Sequence, residues 1–236
     1  MTKFSSRSRP RSFNLSLEQG RKLISVARST IKKSFDKSFN GKFELEELGK
    51  TASARKDSEQ CEKSGQSKKF KELFERRMGI FVTLHTFPER ELRGCIGFVS
   101  PMPLWDGVRR AAYAAAFEDP RFPQLSADEL GKIIIEISVL TEPTPIKCGP
   151  RDYEKSITIG KDGLMLQNGP YSGLFLPQVP KEQGWDAKEF LCNLCCKAGL
   201  TPEFLYDKNT ELWKFQAQIF AEKEPNGEVE EIKIEN

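Results

Sequence analysis

The run "KIIIEISVL", residues 132–140, constrains the fold of this chain more than any other stretch. Its isoleucines and valine are β-branched and stiff at χ1, so the run favours a strand over a helix. One carboxylate, Glu136, interrupts it. Facing inward, that group must be paired or carry a raised pKa; facing outward, it is the polar position of an alternating strand. Arg93 and Arg121 are the partners to weigh. A second apolar run, residues 80–84 within "RMGIFVTLHTF", reads as a buried strand. A turn at "PERE" then leads into "LRGCIGFVS" as the returning strand, where Gly94 and Gly97 suggest a bulge or bend.

Helices lie between these strands. In "LSLEQGRKLISVARSTIKKSF", Ser16 and Gln19 have the spacing of a capping box, and Ile24, Ala27, Ile31 and Phe35 share one helical face. In "PLWDGVRRAAYAAAFED" the alanines favour helix, and Leu104, Val108, Ala111, Ala112 and Ala115 form a narrow apolar stripe. Ser126 and Glu129 repeat the capping-box spacing before the isoleucine run. "SITIGKDGLMLQNGPYSGLFLPQVP" reads as a meander of short strands, with turns at Lys161-Asp162-Gly163 and Asn168-Gly169. "GWDAKEFLCNLCCKAGL" reads as a helix ending at Gly199, and "ELWKFQAQIFAE" as one late strand. Strands and helices mix without a regular βαβ cadence. The expected class is therefore α+β, a mainly antiparallel sheet with flanking helices.

The expected organisation is a disordered basic tail at 1–15, a domain over 16–222 and a charged hairpin or tail at 223–236. Within the domain, residues 36–69 are rich in Ser, Lys and Glu and read as a polar insertion or long loop. The formal net charge is only +3, which argues against a dedicated nucleic-acid binder. No apolar run approaches the length of a membrane span. The N-terminus has no apolar core of a secretory signal. Six cysteines in a chain of 236 residues read as reduced thiols of a cytoplasmic protein rather than a disulfide framework.

Few residues can carry chemistry. The only histidine, His85, stands beside the first strand run, so a common zinc site would need mainly cysteine or carboxylate ligands. No metal or cofactor is expected. Cys192, Cys195 and Cys196 fall at i, i+3 and i+4 of a helix and read as a core-facing stripe. Cys95 differs. Arg93 could lower its pKa or bind an anion, and Gly94 and Gly97 could open backbone N–H groups to a ligand. The alternative is a packed core thiol with glycines needed for close approach. In "FEDPRF", Asp119 and Arg121 could place charges at the rim of a cleft or form a local ion-pair and turn network.

Several segments together carry a resemblance. "MGIFVTL", "ELRGCIG", "AAFEDPRFPQLSADEL", "IEISVLTEPTPI", "GLMLQNGPYSGLFLPQVPKEQGWDAKEFLCNLCCKAGL" and "FQAQIFAE", in this order, resemble the AMME syndrome candidate gene one family. The six-residue signature "LRGCIG" stands unchanged at Leu92 to Gly97. The resemblance implies one compact α+β domain with a larger and a smaller subdomain, and an association with Memo-like and radical-SAM proteins that hints at a shared modification pathway. It carries over no catalytic residue, only the signature positions Arg93, Gly94, Cys95 and Gly97. Two functions follow as expectations. One is an enzyme or small-ligand-binding protein, with Cys95 as thiolate, Arg93 as anion contact, and Gly94, Gly97, Asp119, Arg121 and Glu136 around the ligand. The other is a non-catalytic adaptor for a protein or RNA.

Overall fold

A computed structural model describes residues 14–36 and 65–234. The elements run α1 (Leu17–Lys33), α2 (Gly65–Glu75), β1 (Arg77–Thr86), β2 (Leu92–Pro103), α3 (Leu104–Phe117), β3 (Ile133–Leu140) and β4 (Thr144–Pro145). Then come β5 (Gly163–Asn168), β6 (Tyr171–Phe175), α4 (Val179–Glu182), α5 (Ala187–Lys197), β7 (Thr210–Phe215), β8 (Ala217–Glu222) and β9 (Val229–Ile232). The class is α+β, and the strand pairs β1–β2, β4–β7, β5–β6 and β5–β7 are antiparallel. The chain divides into two compact units. The larger holds Leu15–Ser138 with Phe220–Glu231, and the smaller holds Val139–Ile219 with the residues from Ile232.

In the larger unit the strands are ordered β2-β1-β3-β8-β9, so β2 is an edge. The isoleucine run is β3, and Glu136 is its one residue that is not fully buried. Along β1, Ile80, Val82 and Leu84 alternate onto one face and are wholly buried. The alanine stripe explains how α3 covers that face: Val108, Ala111, Ala112 and Ala115 are buried, and their short side chains let helix and sheet approach closely. The α1 capping box at Ser16 and Gln19 forms, and Leu23, Ala27 and Ile31 of that helix are buried. Burying such an aliphatic side chain contributes roughly 1.5–3 kcal/mol. A buried ion pair links α1 to β8: Arg28 bonds both carboxylate oxygens of Glu222. Arg28 also donates to the carbonyls of Leu130 and Ile133, and Glu222 accepts from the amide of Ile135.

In the smaller unit the order is β4-β7-β5-β6. Leu164 and Leu166 of β5, Leu212 of β7, and Phe190, Leu194 and Cys195 of α5 form its core. An apolar sheet face and an apolar helix stripe thus meet here too.

Four expectations need adjustment. Helix α2 begins at Gly65, inside the stretch read as a polar loop; the rest of that stretch beyond Asp36, with Cys61, lies outside the described residues, as does the tail at 1–13. "SITI" is not a strand. Asp162 instead folds its carboxylate back onto the Thr158 amide and meets Lys214, making a turn. The late strand is two strands, β7 and β8, in different sheets, because the backbone of Gln216 turns to pair with Thr141. The cysteine stripe is narrower than its spacing suggested: Cys195 is buried, Cys192 half-buried and Cys196 exposed.

Candidate functional site

Cys95 sits on the edge strand, opposite Thr83 of β1. Glycines stand one residue before it and two residues after it for a steric reason. A Cβ on Gly94 would lie 2.2 Å from the Ala115 carbonyl oxygen, and one on Gly97 would lie 2.2 Å from the Phe81 ring. The glycines of the signature therefore let α3 and Phe81 pack against β2.

The loop after α3 grips Cys95 by its backbone. Its amide donates to Asp119 Oδ2 at 2.8 Å, and its carbonyl accepts from Arg121 Nη2 at 3.2 Å. Asp119 and Arg121 are themselves paired, Nε to Oδ1 at 3.0 Å and Nη2 to Oδ2 at 2.7 Å. The intervening Pro120 fixes its own φ, which helps the two side chains converge. A carboxylate and a guanidinium thus stand where a neighbouring strand would place its carbonyl and amide. The Asp119 side chain is 2% exposed and that of Arg121 is 55% exposed. Arg121 holds the Asp119 carboxyl down at a pKa of about 2, despite burial.

The thiol itself is half-buried. It accepts a hydrogen bond from Thr83 Oγ1 at 3.2 Å. Burial raises its pKa above the ordinary thiol value, more than the Thr83 hydroxyl and the charge of Arg121 lower it; Glu136 and Asp119 push it further up. At neutral pH Cys95 is a thiol, not the resting thiolate that the sequence suggested. Glu136 of β3 lies near enough to act on it, and His85 Nε2 stands 3.8 Å from the same carboxylate. Burial lowers the His85 pKa. The imidazole in that contact is therefore neutral near pH 7. Three adjacent strands thus contribute Cys95, Thr83, His85 and Glu136.

Arg93 does not join this group. Its Nε and Nη2 bond Glu129 at 2.7 and 3.1 Å, and its Nη1 bonds the Pro123 carbonyl at 3.0 Å. Every nitrogen of that guanidinium has a partner, and Arg93 draws the Glu129 carboxyl down to about 2. The arginine beside Cys95 in space is Arg121, 26 residues away in sequence. Thr83 escaped the sequence reading, although a lone hydroxyl within the apolar run "IFVTLH" was its signal. Among the described residues no group of three or more His, Cys, Asp and Glu is placed to hold a metal ion. Nor is any helix among them long and apolar enough to cross a membrane.

Comparison with known proteins gives this fold and signature a context. The AMMECR1 family model matches residues 48–220. The protein MJ0810 of Methanocaldococcus jannaschii is 48% identical over 167 residues, covering 70% of this chain and 83% of that protein. A protein of Methanothermobacter thermautotrophicus is 50% identical, over 64% of this chain and 79% of its own length. The crystal structure of the uncharacterized protein PH0010 from Pyrococcus horikoshii superposes with a TM-score of 0.75 at 37% identity, covering 94% of this chain and all of that one. With a family model spanning most of its length and relatives close to half identical, this chain belongs to the AMMECR1 family.

Proposed function

We infer that this protein holds a small anionic ligand beside the Cys95 thiol, as an enzyme or as the substrate-holding part of one. The observation that carries the reading is the unfinished coordination of Arg121. A guanidinium has five N–H donors in a rigid fork. Among the described residues its partners, Asp119 and the Cys95 carbonyl, use donors on Nε and Nη2 only, and just over half of the side chain is exposed. The two donors of Nη1 remain for a carboxylate or phosphate oxygen. Such a ligand would lie against a residue whose backbone is clamped on both sides. The negative field of Glu136 reaches the thiol, so an anion held by Arg121 would bring the opposing cation into play beside it. The modification pathway implied by the Memo-like and radical-SAM association would be one source of such a substrate.

Paired alkylating reagents test this. Iodoacetate carries a carboxylate and iodoacetamide does not, so their rate ratio at one thiol reports an adjacent cation. With site-resolved mass spectrometry, the ratio at Cys95 should favour iodoacetate several-fold over the ratio at exposed Cys196. Arg121→Gln should erase that preference. Equal ratios at the two cysteines, or a preference that survives Arg121→Gln, would remove the anion site.

A further inference from the structure

We propose that the free edge of β2 is a docking groove for an extended peptide that carries an apolar side chain between basic ones. The proposal does not rest on the ligand reading above. Its starting point is strand geometry. In an antiparallel pair, successive residues direct their N–H and C=O alternately towards and away from the partner strand. The Cys95 groups point away from β1, since they meet Asp119 and Arg121. By alternation Gly97, two residues on and paired with Phe81, also points its amide and carbonyl outward. Among the described residues no group meets them. An unpaired edge of this kind is a template for another strand. The Asp119–Arg121 clamp ends the template at Cys95 and so sets the register of whatever pairs there.

The edge is flanked by a place for side chains. Between β2 and α3 lies a groove of about 740 Å³, lined by Ile96, Phe98 and Tyr113 with Asp106, Arg110 and Glu118. Ile96 and Phe98 alternate with Gly97, so a peptide pairing at Gly97 presents alternate side chains to this groove. A strand edge beside a helix, with main-chain bonds for affinity and a pocket for specificity, is one of the recurring modes of peptide recognition. The charges choose the peptide. The guanidinium of Arg110 stacks on the Phe98 ring, 5.1 Å from its centroid, and thereby adds to the apolar floor. Among the described residues Asp106 and Glu118 make no ion pair, and they stand at the first turn and just beyond the last turn of α3, one at each end of the groove. Lysine or arginine two positions before and two positions after an apolar residue would share its face and meet both carboxylates.

Phage-displayed random decapeptides, selected on the full chain, are the probe. The selected sequences should share an apolar residue flanked by Lys or Arg two positions to either side. A synthetic decapeptide of that consensus should slow hydrogen exchange of the Gly97 amide at least tenfold. N-methylation of its pairing amide should abolish binding, and Ile96→Lys should weaken it at least tenfold. Because Ile96→Lys could also disturb folding, the exposed Glu118→Arg supplies an independent reading: it should turn the selected flank from basic to acidic while leaving the apolar residue in place. Selection without a consensus, binding without protection of Gly97, or an unchanged flank on Glu118→Arg would overturn the proposal. So would sedimentation showing a dimer that Ile96→Lys dissociates, since a second copy of the chain would then own the edge.

Discussion

Arg28–Glu222 and Arg121–Asp119 are the same device used twice in one unit. In each, a carboxylate accepts from the amide of a strand residue while also binding an arginine: Glu222 takes the amide of Ile135, and Asp119 that of Cys95. In each, the arginine also reaches strand or loop carbonyls. The two differ in what is left over. Arg28 has a partner on all three nitrogens and its side chain is 10% exposed. Arg121 leaves Nη1 without one among the described residues, and just over half of its side chain is exposed. The held residues differ too, for Ile135 is wholly buried core and Cys95 a half-buried thiol. A fully coordinated ion pair around a core residue serves the fold alone. A half-coordinated pair around a half-buried thiol has donors to spare.

The largest expected effect tests the structural member. Arg28→Met leaves Glu222 buried with its charge uncompensated, and breaking a buried pair in this way typically costs 3–5 kcal/mol. Urea denaturation at pH 7 should show a loss of about 4 kcal/mol. A loss below about 1 kcal/mol would mean that Glu222 relaxes to solvent and that the two devices are less different than their geometry. Next, Ile135→Ala removes the residue this pair holds. A wholly buried isoleucine cut to alanine costs about 2–5 kcal/mol, so roughly 3 kcal/mol should be lost in the same assay.

These contrasts also show what the sequence could convey. The isoleucine run, the alanine stripe and the Ser16–Gln19 cap were legible because each is a local pattern whose period or spacing fixes its structure. The α+β class followed from them. The candidate site was legible only in some of the residues that the fold brings together. Cys95, Asp119, Arg121 and Glu136 all stood out, but Arg93 was paired with Cys95 because the two are near neighbours in the chain. Two residues apart in a regular strand they would share a face, but the register with β1 skips Arg93 between Gly94 and Leu92. Arg93 turns to Glu129, and Arg121 arrives through a loop whose path no local pattern records. The break at Gln216 was hidden for a like reason, since its pairing with Thr141 is a contact across 75 positions.

The intermediate effect belongs to the exposed pair. Asp119→Asn keeps an acceptor for the Cys95 amide but removes the charge facing Arg121. The folded pKa of about 2 lies below the ordinary 3.8, so the ionised carboxylate stabilises the folded state. That contribution is complete above the unfolded pKa and fades as pH falls through the folded one. By linkage it amounts to roughly 2 kcal/mol near pH 7. Wild type and Asp119→Asn should therefore differ by about that much at pH 7 and converge as pH falls from 4.5 towards 2. A difference that stays constant across this range would assign the effect to lost packing or geometry and not to charge.

The smallest effect sharpens the comparison most. Cys95→Ser exchanges a thiol for a hydroxyl beside Thr83, which already donates to this position at 3.2 Å. The serine oxygen accepts the same bond, and the backbone clamp does not involve the side chain. The stability change should stay below about 1 kcal/mol, within the range of substitutions that break no core packing and strand no polar group. Cys195→Ser is the control. It puts a hydroxyl into the apolar core that holds Phe190 and Leu212, where burying a polar group costs about 1–3 kcal/mol even with the i−4 helix carbonyl as its one acceptor. If the two serine variants lose the same stability, Cys95 is a packing residue like Cys195. If Cys95→Ser is nearly neutral while Ile135→Ala is not, the two ion pairs hold their strands for different reasons. The elaborate grip on Cys95 then keeps a side chain in place that the fold itself does not need.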